Sequence, residues 1–373
     1  MSEIPMAAIA AVLTHYELPG SLKSVEPIVQ GHINHTYRIA VEQPTTGTIF
    51  EYVLQRINQH VFKQPEQVMH NIRQISRHVK GQENSDDCSI LRFVDARSGC
   101  NYVHHDGEYW RLSPFVGNSV SYDVVTDSAI VCRVGYAFGR FQSVLADLPM
   151  SQLYATIPDF HNTPKRFRDF FAAVEEDPVG RAAGAAEDIA FLAGQQELAS
   201  RLESLKAQGM LPLRVTHNDT KMNNILMDKD TGEPLCVVDL DTVMPGLVAM
   251  DFGDAIRTVG NTAVEDEQDV SKVQLHLDHY DAFARGFVGV CRSSLTPLEI
   301  DTLALGALTI TLEQAVRFLG DYLAGDVYYR IHYPLHNWHR ARCQLTLAKR
   351  MLERFETMEA IVRKYAFAEN VQC

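Results

Sequence analysis

The stretch from Thr216 to Asp254 is the feature that most constrains how this 373-residue chain can fold. Within it, Ile225 to Met227 is apolar, an Asp-Thr-Gly turn signal follows, and Leu235 to Val238 is apolar again. This pattern predicts a β-hairpin. Antiparallel strands bring the residue before the first strand next to the residue after the second. We therefore expect Asn224 and Asp239 to lie side by side at the open end of the hairpin, facing one cation.

The segment just before the hairpin, His217 to Asn224, has the spacing His-x-Asp-x-x-x-x-Asn. That spacing is typical of a kinase catalytic loop, in which the Asp receives the substrate hydroxyl and the Asn holds a metal ion. It predicts Asp219 as the catalytic carboxylate, with Asn224 and Asp239 as ligands of Mg²⁺, which takes only one or two oxygen ligands from protein. Lys221 would supply a cation at the γ-phosphate of ATP. A phosphoryl-transfer enzyme is the leading hypothesis.

Two further acidic residues in this stretch need an interpretation. Asp241 lies two residues beyond Asp239, and if the strand continues that far, its carboxylate emerges on the same face as a supporting group. Asp251 begins an Asp-Phe-Gly triplet, the metal-binding triplet of protein kinases, but it lies a loop further on. With Asp254 three residues later, we interpret Asp251 as the N-cap of a helix and assign the metal to Asp239. The alternative for the whole stretch is an ordinary acidic hairpin.

Composition narrows the class of protein. A hydrophobic content of 46% over 373 residues is enough for two lobes, each with its own core. The net charge of −13, without a run of Lys and Arg, argues against nucleic acid or a membrane as a partner. The N-terminus lacks the cationic flank of a signal peptide, so we expect a cytoplasmic protein, and a monomer. Seven scattered cysteines without a Cys-x-x-Cys pair predict reduced thiols, with neither a disulfide frame nor a zinc site.

The N-terminal part of the chain has the pattern of a small β-rich lobe. Residues 24 to 57 alternate and pause like paired strands, and Pro65 to Val79 repeats apolar residues every three or four positions, as a helix does. Two more apolar strands, at about Ile90 to Val94 and Tyr109 to Leu112, are expected to complete this lobe. Its predicted end is near Pro114.

Helical periodicity dominates the rest of the chain, as in Ala129 to Leu145 and Leu303 to Leu323. The overall prediction is an α+β, bilobal, protein-kinase-like fold. Residues 1–113 would form the N-terminal nucleotide-binding lobe. Residues 114–373 would form the larger, mostly helical C-terminal lobe, which holds the catalytic loop and the acceptor site.

The nucleotide phosphates cannot be bound by a Walker loop, because the chain has no Gly-x-x-x-x-Gly-Lys-Ser/Thr segment. Gly31, between two predicted strands, could instead let the backbone amides of His32 to His35, including Asn34, approach an anion. A plain glycine turn remains the alternative.

Further nucleotide contacts are expected in the third strand and the connector. Gln55 occupies the position at which a protein kinase places its phosphate-pairing Lys, which departs from that pattern. Lys221 is our candidate for the missing cation. Adenine is expected to be read by backbone groups of the connector around Pro114 and Val116.

Several short segments along the chain match one family of small-molecule kinases. Besides the catalytic stretch, they are Gly31-His32-Ile33-Asn34, Leu54-Gln55-Arg56-Ile57-Asn58, His161-Asn162-Thr163-Pro164, Arg317-Phe318-Leu319 and Gly325-Asp326-Val327-Tyr328. On these segments the chain resembles the aminoglycoside phosphotransferase and choline kinase group, and within it the N-acetylhexosamine 1-kinase branch.

This resemblance implies an enzyme that makes sugar 1-phosphates from ATP and free N-acetylglucosamine or N-acetylgalactosamine, with Mg²⁺. It implies the roles already given for the catalytic loop, and it adds Arg317 and Tyr328 as residues that contact the sugar. Gln55 is usual in that branch. From the residues alone, Arg317 could equally form an i,i+4 pair with Glu313, and Tyr328 could simply pack in an aromatic corner.

Two rival functions stay open on the sequence. The first is the same chemistry on another small alcohol, such as an amino alcohol or an aminoglycoside. The second is a kinase-like binding protein without turnover, against which the intact Asp219, Asn224 and Asp239 argue.

Overall fold

The computed structural model describes residues 4–28, 33–80, 88–368 and 373. The strands in this part of the chain form three sheets. In chain order they are β1 (Ser21–Ile28), β2 (His35–Glu42), β3 (Ile49–Arg56), β4 (Ser89–Ile90), β5 (Val103–His105), β6 (Glu108–Pro114), β7 (Ser119–Val120), β8 (Arg214–Thr216), β9 (Ile225–Asp228), β10 (Pro234–Val237) and β11 (Met244–Gly246).

The helices lie mostly after β7. They are α1 (Met6–Leu13), α2 (Pro65–Val79), α3 (Ser128–Val144), α4 (Thr163–Glu176), α5 (Ala186–Ala199), α6 (Arg201–Ala207), α7 (Val248–Val259), α8 (Leu277–Cys291), α9 (Pro297–Asp301), α10 (Leu303–Leu323), α11 (His336–Glu353) and α12 (Phe355–Ala366). An N-terminal antiparallel sheet followed by a mostly helical part confirms the predicted bilobal, kinase-like fold.

The small lobe is built on an antiparallel sheet with the strand order β1-β2-β3-β6-β5. Alternate residues of these strands, including Ile39, Leu54 and Leu112, point into a core closed on one side by α1. In β3 and β6, Gln55 lies opposite Arg111. This pairing becomes important at the active site, because both side chains lie near the hairpin that carries Asp239 and Asp241.

The predicted strand at Ile90 to Val94 is wrong as a member of the small-lobe sheet. Only Ser89–Ile90 is a strand, and it pairs in parallel with β10, the second strand of the β9–β10 hairpin. The sheet it joins has the order β4-β10-β9-β7. The backbone of Val94 then returns to bond Leu112 in β6. This short segment therefore connects the two lobes, and β5 takes the edge place in the small-lobe sheet.

Helix α10 is the central helix of the large lobe. It packs against α7, α11 and α4, and its bounds match the predicted apolar stripe. Within the described residues it is the one helix long and apolar enough to cross a membrane, yet 83% of its apolar window is buried inside the protein. That burial is typical of the core helix of a globular lobe.

Two cysteines form a disulfide, which contradicts the expectation of reduced thiols throughout. Cys132, buried in α3, is bonded to Cys373, and 241 residues separate them in sequence. No local spacing could have indicated this pair, because residues this far apart in sequence are brought together only by the tertiary fold. The other cysteines, Cys88, Cys100, Cys236, Cys291 and Cys343, take no part in this disulfide.

Candidate active site

The hairpin predicted around the metal site is present. Strands β9 and β10 pair antiparallel, with Ile225 opposite Val237, and the backbone N–H of Val238 donates to the carbonyl of Asn224 at 2.9 Å. Asp239 follows at once in a left-handed conformation, with φ of 57°. The chain turns there out of the strand, which leaves Asn224 and Asp239 together at the open end of the hairpin.

The Asp251 side chain holds the loop that leads into Asp219. Its carboxylate accepts hydrogen bonds from the backbone N–H groups of His217 and Asn218 and from the Gln142 amide, each at 2.7 Å. The interpretation of Asp251 as an N-cap is wrong: α7 begins at Val248, three residues earlier. Burial raises the pKa of this carboxyl to about 6. With three protein donors on its oxygens, Asp251 holds the loop in place.

Asp219 lies at the centre of the site and is held by two neighbours. The Lys221 ammonium is 2.9 Å from Oδ1, and the Asn224 amide donates to the Asp219 carbonyl at 2.7 Å and to Oδ2 at 3.3 Å. Burial would raise the pKa of Asp219, but the Lys221 charge outweighs it and holds the pKa below its ordinary value. Asp219 is therefore ionised and able to accept a proton.

The Asp239 carboxylate accepts no hydrogen bond from any of the described residues. The side chain is reached by solvent, yet protein surrounds it closely enough that burial, followed by the charges of Asp241 and Asp219, raises its pKa to about 6. A carboxylate without a donor, beside other carboxylates, suits a divalent cation. In the part of the chain that the structure describes, no group of three His, Cys, Asp or Glu residues could hold a metal ion. The donors here are one carboxylate and one amide, which fit Mg²⁺.

Arg111 joins the small lobe to the hairpin. This residue was not identified from the sequence. It is 1% exposed. Its guanidinium takes both oxygens of the Asp241 carboxylate, with Nη2 to Oδ2 at 3.0 Å, while its Nε donates to Gln55 at 2.9 Å. The Asn34 amide also donates to Asp241 at 2.7 Å. A basic residue inside the apolar strand Tyr109 to Leu112 was the available signal.

Two of the candidate nucleotide-binding residues, Asn34 and Gln55, lie next to this ion pair. Asn34 and Gln55 gather around the Arg111–Asp241 pair, so the cation in this region is Arg111 rather than a Lys on β3. The strand after the hairpin does not continue: Asp241 lies in a 3-10 turn, and its carboxylate faces Arg111 instead of the cleft.

The other candidate nucleotide residues divide into two groups. Gly31 and His32 lie outside the described residues. Pro114 ends β6 with an exposed side chain, and the carbonyl of Val116 accepts a hydrogen bond from the Ser119 hydroxyl at 2.7 Å. The segment around Pro114 and Val116 follows β6 directly, and its contact with adenine stays a prediction.

The two candidate acceptor-binding residues, Arg317 and Tyr328, both contact the ring of Tyr329. The Arg317 guanidinium lies over the ring of Tyr329, 5.7 Å from its centroid, and the Tyr328 ring stands against Tyr329 at 4.8 Å. The loop that carries both tyrosines is fixed by Asp321, whose carboxylate accepts three consecutive backbone N–H groups, from Val327 to Tyr329. Asp321 was not predicted, because its role depends on this loop conformation.

Glu313 does not form the ion pair with Arg317 that the sequence allowed. Its carboxylate is 2.9 Å from Nδ1 of His161 and accepts the Thr163 hydroxyl at 2.6 Å. The other ring nitrogen of His161 is 3.2 Å from the carbonyl of Asn218, next to Asp219. Within the described ranges, no carboxylate pairs with Arg317. Helix α10 thus meets the catalytic loop through His161.

Comparisons with known proteins bear on the family and the fold of this chain. A family model described as the phosphotransferase enzyme family matches residues 24–285, more than half of the chain. A solved microcompartment-associated aminopropanol kinase aligns with a TM-score of 0.65 and 17% identity over 96% of this chain and 99% of its own. An aminoglycoside phosphotransferase from Alicyclobacillus acidocaldarius aligns with a TM-score of 0.59 and 13% identity over 98% of both chains.

A choline kinase from Cryptosporidium parvum aligns with a TM-score of 0.53 and 12% identity over 92% of this chain and 93% of its own. Identities this low establish the shared fold only. The match to the family model goes further, and the chain belongs to the phosphotransferase enzyme family.

Proposed function

We propose that the chain transfers the γ-phosphoryl group of ATP to a hydroxyl of a small molecule. The observation that carries this proposal is the meeting of an ionised Asp219, the Lys221 ammonium and the donor-free Asp239 at one hairpin mouth. Asn224 and Asp239 would hold Mg²⁺, which neutralises phosphate charge when bound.

The residues act by positioning and by charge. The acceptor oxygen attacks the γ-phosphorus, the bond to ADP breaks, and the hydroxyl proton passes to Asp219. Lys221, which pairs with Asp219 in this structure, would also interact with the transferring phosphoryl group. We also propose that the connector after β6 contacts adenine and divides a nucleotide lobe (1–113) from an acceptor lobe (114–373).

We propose the anomeric hydroxyl of an N-acetylhexosamine as the acceptor. Arg317 supports this proposal, because a cation without a carboxylate partner disfavours an ammonium group beside it and can donate to hydroxyl or carbonyl oxygens. The Tyr328 side chain is 75% exposed and offers an aromatic face to sugar C–H groups. A hemiacetal hydroxyl is also a comparatively acidic acceptor, which suits a single carboxylate base.

An amino alcohol or an aminoglycoside is the second candidate acceptor. It is favoured by the similarity to solved structures named aminopropanol kinase and aminoglycoside phosphotransferase. Such an acceptor would need exposed carboxylates near Asp219, and the net charge of −13 permits them.

The test is an assay of ADP formation with neutral N-acetylhexosamines, amino alcohols and aminoglycosides, each with Mg²⁺, followed by ³¹P NMR of the product. The sugar proposal predicts an anomeric phosphate. Activity with amines alone would overturn it in favour of the second candidate. Asp219→Asn should abolish turnover, whereas Asp278→Asn, an exposed substitution on α8, should not.

A further inference from the structure

We propose that His161 is a positioning residue for phosphoryl transfer: held as an imidazolium between Glu313 and the carbonyl of Asn218, it fixes the catalytic loop at Asp219. This inference rests on the proposed function, and it adds a residue to which no role in the reaction has been given. His161 precedes α4, Glu313 lies in the middle of α10, and Asn218 is the residue before Asp219.

The hydrogen-bond partners of the ring carry the first step. Nδ1 lies 2.9 Å from Oε1 of Glu313, and Nε2 lies 3.2 Å from the carbonyl oxygen of Asn218. A neutral imidazole has one N–H group, whereas both partners here are acceptors when Glu313 is ionised. Only the imidazolium satisfies both contacts.

Glu313 is ionised because its surroundings supply donors. The residue is fully buried, and its second oxygen accepts the Thr163 hydroxyl at 2.6 Å. Burial alone would raise the pKa of Glu313, but the His161 charge outweighs it and the pKa is lowered. A buried carboxylate with no cation beside it would be costly, so Glu313 and His161 maintain each other's charge.

The contact with Asn218 explains why this pair bears on catalysis. Asn218 has a left-handed backbone, with φ of 62°. Its N–H is held by Asp251 at 2.7 Å and its carbonyl by His161. Because the Asn218 carbonyl belongs to the peptide group that leads into Asp219, fixing it sets the direction in which the Asp219 side chain leaves the loop. A misplacement of about 1 Å at a reacting group can cost about 100-fold in rate.

The charge on the ring gives the link a pH dependence. Burial lowers the pKa of His161, but Glu313 on α10, then Asp254 on α7 and the Asn218 carbonyl, outweigh it and raise the pKa above its ordinary value. Asp251, also on α7, faces the same ring. As pH rises through this raised pKa, the ring loses one N–H and one of its two contacts. The rate should then fall.

The experiment compares His161→Gln with His104→Gln, a matched substitution at an exposed position on β5. We expect His161→Gln to lower kcat by about 10- to 100-fold, to change KM for ATP less than about twofold, and to remove the alkaline decline in kcat that the His161 titration causes. His104→Gln should keep the wild-type profile. A purely structural role for His161 would not move the pH profile.

A second measurement does not depend on turnover. Side-chain ¹⁵N NMR of the unmodified protein should show His161 protonated on both nitrogens at neutral pH, and Glu313→Gln should lower the pH at which one proton leaves. A neutral ring at pH 7, or a wild-type pH profile in His161→Gln, would overturn the proposal. If no acceptor is phosphorylated but NMR shows the imidazolium, the proposed function fails while the protonation of His161 stands.

Discussion

Replacing Arg111 by Met should strongly destabilise the protein. The Arg111 and Asp241 side chains are each only 2% exposed. Among the described residues, the substitution leaves this buried carboxylate with Asn34 as its one remaining side-chain donor. Removing one partner of a buried ion pair costs about 3 to 5 kcal/mol. We expect a loss of that size in the free energy of unfolding, measured by urea titration and followed by both far-UV and near-UV circular dichroism.

The matched control is Arg363→Met. Arg363 pairs with Asp301 at 3.4 Å, and both side chains are about half exposed. An exposed pair is worth about 0 to 1 kcal/mol, so this variant should remain close to the wild type.

A second arm replaces both buried partners, as Arg111→Met with Asp241→Leu. Removing both charges should recover much of the stability, because well-packed apolar residues often replace a buried pair without loss. If Arg111→Met costs no more than Arg363→Met, the Arg111–Asp241 pair is not desolvated as the structure shows, and the reasoning fails.

Three further predictions follow from the site. Because burial, followed by the neighbouring carboxylates, raises the pKa of Asp239 to about 6, the metal-free protein should lose stability as pH rises from the ordinary carboxyl range to about 6. Asp239→Asn should flatten this decline in thermal unfolding measured across pH 4 to 7 and should raise the Mg²⁺ concentration needed for activity. Asp251→Ala should leave the backbone N–H groups of the loop without an acceptor and cost about 1 to 3 kcal/mol or more; a free energy of unfolding equal to wild type would contradict that role. Reducing the Cys132–Cys373 bond should lower the melting temperature, whereas Cys373→Ser should melt at one temperature with or without reductant.

Local patterns predicted the parts of the fold that local chemistry determines. The hairpin followed from two apolar segments around an Asp-Thr-Gly turn, and α2 and α10 followed from apolar residues repeating every three or four positions. Asp219 and Asn224 lie together in the structure, as expected for two residues in one short loop, because a short segment allows few conformations. The same reasoning failed at Ile90, where a two-residue strand pairs with whichever neighbour the tertiary fold supplies.

The contacts between the site and distant parts of the chain could not be predicted from local sequence patterns. Arg111 and Asp241 are 130 residues apart, and His161 and Glu313 are 152 residues apart. Periodicity carries no information over such distances. A charged residue within an apolar segment was the usable signal at Arg111 and at Glu313, and it indicates that a partner exists without identifying it.

These long-range contacts to the site have one physical property in common. The catalytic loop and the hairpin next to it are held by Asp251 from α7, by Arg111 from the small lobe through Asp241, and by His161, which precedes α4 and contacts Glu313 of α10. Each contact buries charge, which adds little net stability because desolvation offsets the attraction. Apolar residues could fill the same volumes with a smaller desolvation cost. They could not hold the loop in one orientation, however, because hydrogen bonds to carboxylates and carbonyls are directional and apolar contacts are not. If the proposed function holds, charge buried at these points orients Asp219 and Asp239, and substitutions there should lower kcat by more than any accompanying loss of stability accounts for.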